Sequence, residues 1–171
     1  MKRLKTDWSR TLMALAGVAL LALGMPGCVG YRVGSMLPPD IATVHVPTFV
    51  NRTSEPQIEV EATRAAIAEF QKDGSLRVVD PETADAILEV TMTGYDASPL
   101  SYDDDNRTSA NEYRLTLTVS IVLKRRATDE ILTEAVGIQG ESTFRIAGDF
   151  TSSKQTGLPK AAKDLAHDIV E

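Results

Sequence analysis

Tyr113-Arg114-Leu115-Thr116-Leu117-Thr118-Val119-Ser120-Ile121-Val122-Leu123-Lys124 carries the strictest pattern in the chain. Successive side chains of a strand point to opposite faces, so a period of two sorts this segment cleanly. Tyr113, Leu115, Leu117, Val119, Ile121 and Leu123 share one face. Arg114, Thr116, Thr118, Ser120, Val122 and Lys124 share the other. A strand patterned in this way lays one face on a core and leaves the other largely polar. Arg125 to Asp129 is then a tight connection. Leu132, Val136, Ile138, Phe144 and Ile146 make the inward side of a return strand, with Gly137 and Gly140 marking a bulge. A long antiparallel hairpin results.

Upstream, Ile41 to Val50 reads as a strand with Val44 and Val46 on one face and Thr43 and His45 on the other. Pro47 has no amide hydrogen, which confines that strand to an edge or ends it there. Asn51-Arg52-Thr53 turns the chain. Ser54-Glu55-Pro56-Gln57 has the spacing of a capping box, with Ser54 as cap and Gln57 reaching back. The helix that follows places Val60, Ile67 and Phe70 on one stripe beside Ala66, and Gly74 stops it. Leu76 to Val79 is a short apolar run. Ile87 to Tyr95 is a strand with Leu88, Val90 and Met92 on one face, and Asp96 to Asn111 is a polar loop. After the hairpin a second polar loop reaches Leu158. Pro159 opens a last helix with Ala162, Leu165, Ala166 and Ile169 inward. This order predicts an α+β fold, with two helices packed on one face of a mixed, mostly antiparallel sheet of about four strands.

The amino terminus has a different character. Lys2, Arg3, Lys5 and Arg10 precede Leu12 to Leu23, twelve residues without a polar side chain, and Gly24-Met25-Pro26-Gly27 leads to Cys28. That is the layout of a secretory signal. Roughly 20 apolar residues are needed to cross a bilayer, so the run is too short for a permanent span. Cys28 is the only cysteine and stands where the cut would fall, as the cysteine of a bacterial lipobox does. The chain thus divides into a signal at 1–27, a lipidated tether at 28–40 and a single α+β domain at 41–171. An ordinary cleaved signal with an incidental cysteine is the alternative. Two or more acyl chains, at ~0.8 kcal/mol per buried methylene, hold a protein stably on a membrane.

The whole chain carries 18 basic and 24 acidic residues. Without residues 1–27, which hold four basic residues and Asp7, the balance is 14 to 23, a net of −9. That charge speaks against nucleic acid, which needs clustered cations, and against a polybasic membrane contact. His45 and His167 have no cysteine partner and no carboxylate at zinc-site spacing. Asp103-Asp104-Asp105 lacks the glycine and distal glutamate of a calcium loop. No phosphate loop or serine elbow is present. The reading is a non-enzyme without metal or cofactor. Lys124-Arg125-Arg126, at the hairpin tip, is the only run of three cations. With Arg107 in the preceding loop, it is the candidate contact for an anionic ligand; the competing reading is a solvated turn balanced by Asp129 and Glu130.

Several segments, taken in order, resemble the lipopolysaccharide-assembly lipoproteins, the LptE-like family. They are Cys28-Val29-Gly30-Tyr31, Leu37-Pro38-Pro39-Asp40-Ile41, His45-Val46-Pro47, Asn51-Arg52-Thr53-Ser54-Glu55-Pro56, Leu76-Arg77-Val78-Val79-Asp80, Ala84-Asp85-Ala86-Ile87-Leu88 and Glu112-Tyr113-Arg114-Leu115-Thr116. The resemblance covers nearly all of the chain after Cys28. It implies an outer-membrane lipoprotein facing the periplasm. Such a protein acts as plug and assembly partner of an LptD-like β-barrel in lipopolysaccharide transport. It would make lipopolysaccharide the ligand of Lys124, Arg125, Arg126 and Arg107, although no family motif assigns these positions. Val46-Pro47-x-Phe49-x-Asn51-Arg52-Thr53 also resembles adaptors of other envelope machines, the peptidoglycan synthase activators and the curli-secretion type. Those lack the long hairpin opened by Glu112-Tyr113-Arg114.

Overall fold

The structure, a computed structural model, describes residues 37–102 and 110–171. Internal contacts divide the chain between Gly34 and Ser35, and every described residue belongs to the second unit. That unit contains β1 (Thr43–His45), β2 (Val50–Asn51), α1 (Ile58–Asp73), β3 (Arg77–Val78), β4 (Ala86–Tyr102), β5 (Ala110–Arg125), β6 (Ile131–Arg145) and α2 (Phe150–Val170). The strands form one sheet in the order β3-β1-β4-β5-β6, with β2 also beside β4. Pairings among β1, β2, β3 and β4 are parallel, while β4–β5 and β5–β6 are antiparallel. The α+β class, the two helices and the mixed sheet agree with the sequence reading.

The sheet has six strands rather than about four. Pro47 lacks the amide that a continuous strand needs, so the expected Ile41–Val50 strand is split. β1 pairs with β4 at Ala86 and Ile87, and β2 resumes further along at Thr91 and Met92. β4 also runs on to Tyr102, through a stretch that reads as a polar loop. β5 pairs with it the whole way, and the bonds to β1 and β2 end near Met92, where the Arg52 amide reaches the Met92 carbonyl. Beyond that point no strand among the described residues lies on one edge of β4, which is why Pro99 is tolerated there.

The core lies between the sheet and the helices. Leu88, Val90 and Met92 of β4 and Leu115, Leu117, Val119, Ile121 and Leu123 of β5 are buried against Ile58, Ala62, Ala66 and Phe70 of α1. Ala161, Ala162, Leu165, Ala166 and Ile169 of α2 complete it. Each large apolar side chain so buried contributes about 1.5–3 kcal/mol. Small residues let α2 lie close to β6. A Cβ added to Gly140 would sit 2.3 Å from the Leu165 nitrogen and 2.5 Å from the Ala161 oxygen. Gly140 is therefore a contact position, and the bulge belongs to Gly137, with φ of 79° at a register shift.

Three local readings are corrected. Ser54 does not cap α1. The helix begins at Ile58 after Gln57 in the left-handed region, without a side-chain cap. The Asn51 side chain instead donates through Nδ2 to the Glu55 carbonyl and the Glu59 carboxylate, at 2.8 and 2.7 Å, and that fixes the turn. Val60 is 48% exposed, and Ile58 takes the inward place expected of it. Pro159 does not open α2, which starts nine residues earlier at Phe150. Asp149 caps that start by accepting from the Ser152 amide and hydroxyl, at 2.9 and 2.6 Å. Phe150 packs edge-on against Tyr113 and Phe144, and this cluster anchors a first turn made of weak helix formers.

Candidate functional site

Both helices cover one side of the sheet, so the other side is the large surface available to a partner. The register defines its rows. His45, Ile87, Lys124 and Ile131 lie side by side across β1, β4, β5 and β6. Glu89, Val122 and Glu134 form the next row, and Val50, Thr91, Ser120 and Val136 the one after it. Further on come Gly94, Thr118 and Gln139, then Asp96, Thr116 and Glu141, then Ser98, Arg114 and Thr143. Among the described residues three ion pairs cross this face, Lys124–Glu89 at 2.6 Å, Arg114–Glu141 at 3.6 Å and Arg145–Glu112 at 3.9 Å.

Val136 belongs to this open face and is 85% exposed, against the expectation that it faces the core. The cause is the bulge at Gly137. One extra residue in a strand changes the parity of everything beyond it. Ile138 and Phe144 therefore lie on the helix side, while Val136 lies on the other. The signal was Gly137 itself, which the apolar stripe alone does not take into account.

The hairpin tip uses its cations internally. Lys124 is held by Glu89. Arg125 bonds the carboxylates of Asp40 and, at 3.0 Å, Glu130. Arg126 donates through Nε to the Ala84 carbonyl at 2.6 Å, and through its amide to the Asp85 carbonyl at 2.9 Å. Asp85 in turn accepts from the amides of Ala42 and Thr43 and from the Thr43 hydroxyl, at 3.1, 3.0 and 2.7 Å. The Thr43 hydroxyl and the Ala42 amide hold the Asp85 carboxyl below its usual pKa, as the Arg125 guanidinium does for Asp40. The tip thereby clamps the ends of β1, β4 and β5 together. Arg107 lies outside the described residues, as do Cys28 and Asp103-Asp104-Asp105. The strand ends that flank Arg107 lie one full length of β5 from the tip, roughly 50 Å at about 3.4 Å per residue.

On the helix side, a cleft of about 600 Å³ opens between the start of α1 and the first half of α2, floored by Tyr95. Lys154 crosses it to Glu55 at 2.5 Å and stands 5.8 Å from the Tyr95 ring centre. The Tyr95 hydroxyl is shut away without a hydrogen-bond partner among the described residues, and burial pushes its pKa up to about 12. His45 contacts the Val79 carbonyl at 3.1 Å. His167 stands 3.7 Å from Glu69 and 3.2 Å from Glu171. The two histidines thus share no site. Among the described residues no cluster of metal-ligating side chains occurs, and no helix is long and apolar enough to cross a membrane.

Residues 41–171 match the family described as LptE, lipopolysaccharide-assembly. The chain belongs to that family. LptE membership places it among the lipoproteins of outer-membrane biogenesis. No curated protein matches the sequence. Among solved structures, a putative lipoprotein from Caulobacter crescentus is similar, with a TM-score of 0.52 at 12% identity, covering 74% of this chain and 83% of its own. A protein from Xanthomonas campestris has a TM-score of 0.53 at 9% identity, covering 78% and 86%. At such identities both likenesses concern the fold of this LptE-family chain.

Proposed function

We propose that this LptE-family chain is lipid-anchored through Cys28 to the outer membrane and faces the periplasm. There it serves, without catalysis, as plug and assembly partner of an LptD-like barrel in lipopolysaccharide transport. Besides family membership, the observation that carries the reading is the sheet face that neither helix covers. Its outer three rows, from Thr118 to Thr143, hold only glycine, hydroxyl, amide and charged side chains. The lumen of a wide barrel is polar and wet, and a plug needs an outward surface of this kind. The signal at 1–27 and the tether at 28–40 are part of the same proposal.

Lys124, Arg125, Arg126 and Arg107 remain the proposed contacts for lipopolysaccharide phosphates. For Arg125 a phosphate has to displace Asp40 or Glu130. Pull-down of the full chain from its native membranes in mild detergent tests the main proposal. An outer-membrane barrel recovered in near-equal amount is the expected result. A synthase or a secretion channel in its place would move the reading to another envelope machine.

A further inference from the structure

The open face is divided into two halves of different chemistry. In the half next to the start of β1 and β4, the outward side chains include Ile87, Val122, Ile131, Val50 and Val136. Val136 is 85% exposed, and Val50 and Ile131 are 54% exposed each. Past the row of Ser120, no apolar side chain of the paired rows faces outward. Strands about 4.8 Å apart and same-face residues about 7 Å apart give the apolar half an extent of roughly 14 Å each way. That is the size of the energetic centre of a protein interface rather than of a whole one.

The charges select the occupant. Glu89 and Glu134 flank Val122 in one row, and Lys124 neutralises Glu89. Glu134, between Val122 and Val136, enters no ion pair among the described residues. A second copy laid face to face would bring another acidic patch against this one. An anionic lipid surface would be repelled for the same reason. A cation set in an apolar surface fits both features, because an ion pair gains strength once water is excluded around it.

We propose that the half-face centred on Val136 and Glu134 docks a different protein, through an apolar surface bearing an Arg or Lys that pairs with Glu134. This goes beyond the barrel reading, which drew on the polar half, and holds for whichever envelope protein presents that chemistry. The test uses the full chain in intact cells with photoreactive benzoylphenylalanine at position 136, or at position 168 on the exposed side of α2, away from the open face. Position 136 is exposed, so the fold is expected to survive, and unchanged thermal melting checks this. The expected result is a polypeptide adduct at 136 at least tenfold stronger than at 168, mapping to a partner segment with Arg or Lys among apolar residues. Glu134→Lys should cut that adduct at least tenfold, and Glu82→Lys, an exposed charge off this face, by less than twofold. Labelling of lipid alone, a homodimer adduct, equal yields at 136 and 168, or indifference to Glu134→Lys would each overturn the proposal. If the adduct proves not to be a barrel, the docking face stands, and the pull-down alone decides the barrel reading.

Discussion

Asp85 accepts from two consecutive amides and a hydroxyl, so its charge organises the start of β1 although it lies about forty residues downstream. Its pKa, like those of Asp40, Asp73 and Asp149, is held below the ordinary carboxylate value. The unfolded chain therefore takes up these protons first on acidification. The stability they contribute is complete above the unfolded value of about 4 and is lost as pH falls through the folded values. Urea midpoints should drop steadily below about pH 4, and Asp85→Asn should flatten that drop while lowering the midpoint at neutral pH. Replacing Lys124, Arg125 and Arg126 together by Ser should also lower the midpoint, since the tip is a clamp. A solvated turn would show almost no change. The sequence displayed these residues as a cation run beside Asp129 and Glu130. The partners that consume the charge, Asp40, Ala84 and Asp85, come from distant segments that no local pattern joins to the tip.

Strands with a strict apolar alternation were legible, whereas the outer part of β4 from Asp96 to Tyr102, which is paired but polar, and the elements held by packing were not. The alternation of β5 named every buried side chain from Leu115 to Leu123. α2 was only half visible, because Thr151, Ser152, Ser153 and Gly157 have loop-like propensities that the aromatic cluster and the Asp149 cap override. In α1 the periodicity was right but the inward stripe was misplaced near its start, where the left-handed Gln57 sets the helix phase. Two substitutions separate the stripes. Ile58→Ala should cost about 2–5 kcal/mol, as large-to-small core changes do. Val60→Ser should stay within about 0.5 kcal/mol, as for an exposed site. Gly140→Ala is the complementary case. Its Cβ would fall on backbone atoms of α2 rather than on a flexible side chain, so a loss of about 3 kcal/mol is expected, at the upper end of overpacking costs. Urea unfolding measures all three.

For the whole molecule, membrane attachment and the folded domain should be separable. Cys28→Ala should move the protein from the membrane pellet to the soluble fraction while leaving thermal melting of the domain unchanged. A pellet that kept the variant would mean the domain holds the membrane or its partner unaided. The open face was foreseen as a polar surface, and its outer rows are one. Its apolar half was hidden because Val50, Ile87, Val136 and Ile131 come from three strands, and only the register sets them together. The order of pairing in the sheet also bears on how the chain reaches its fold. β4, β5 and β6 meet through successive antiparallel hairpins, so their contacts are local and form early. β1 and β2 attach to β4 in parallel, from a segment synthesised before it. A chain that emerges amino terminus first thus exposes residues 41–78 with their apolar stripes before β4 arrives. During that interval this third of the domain needs a holding chaperone more than the rest does.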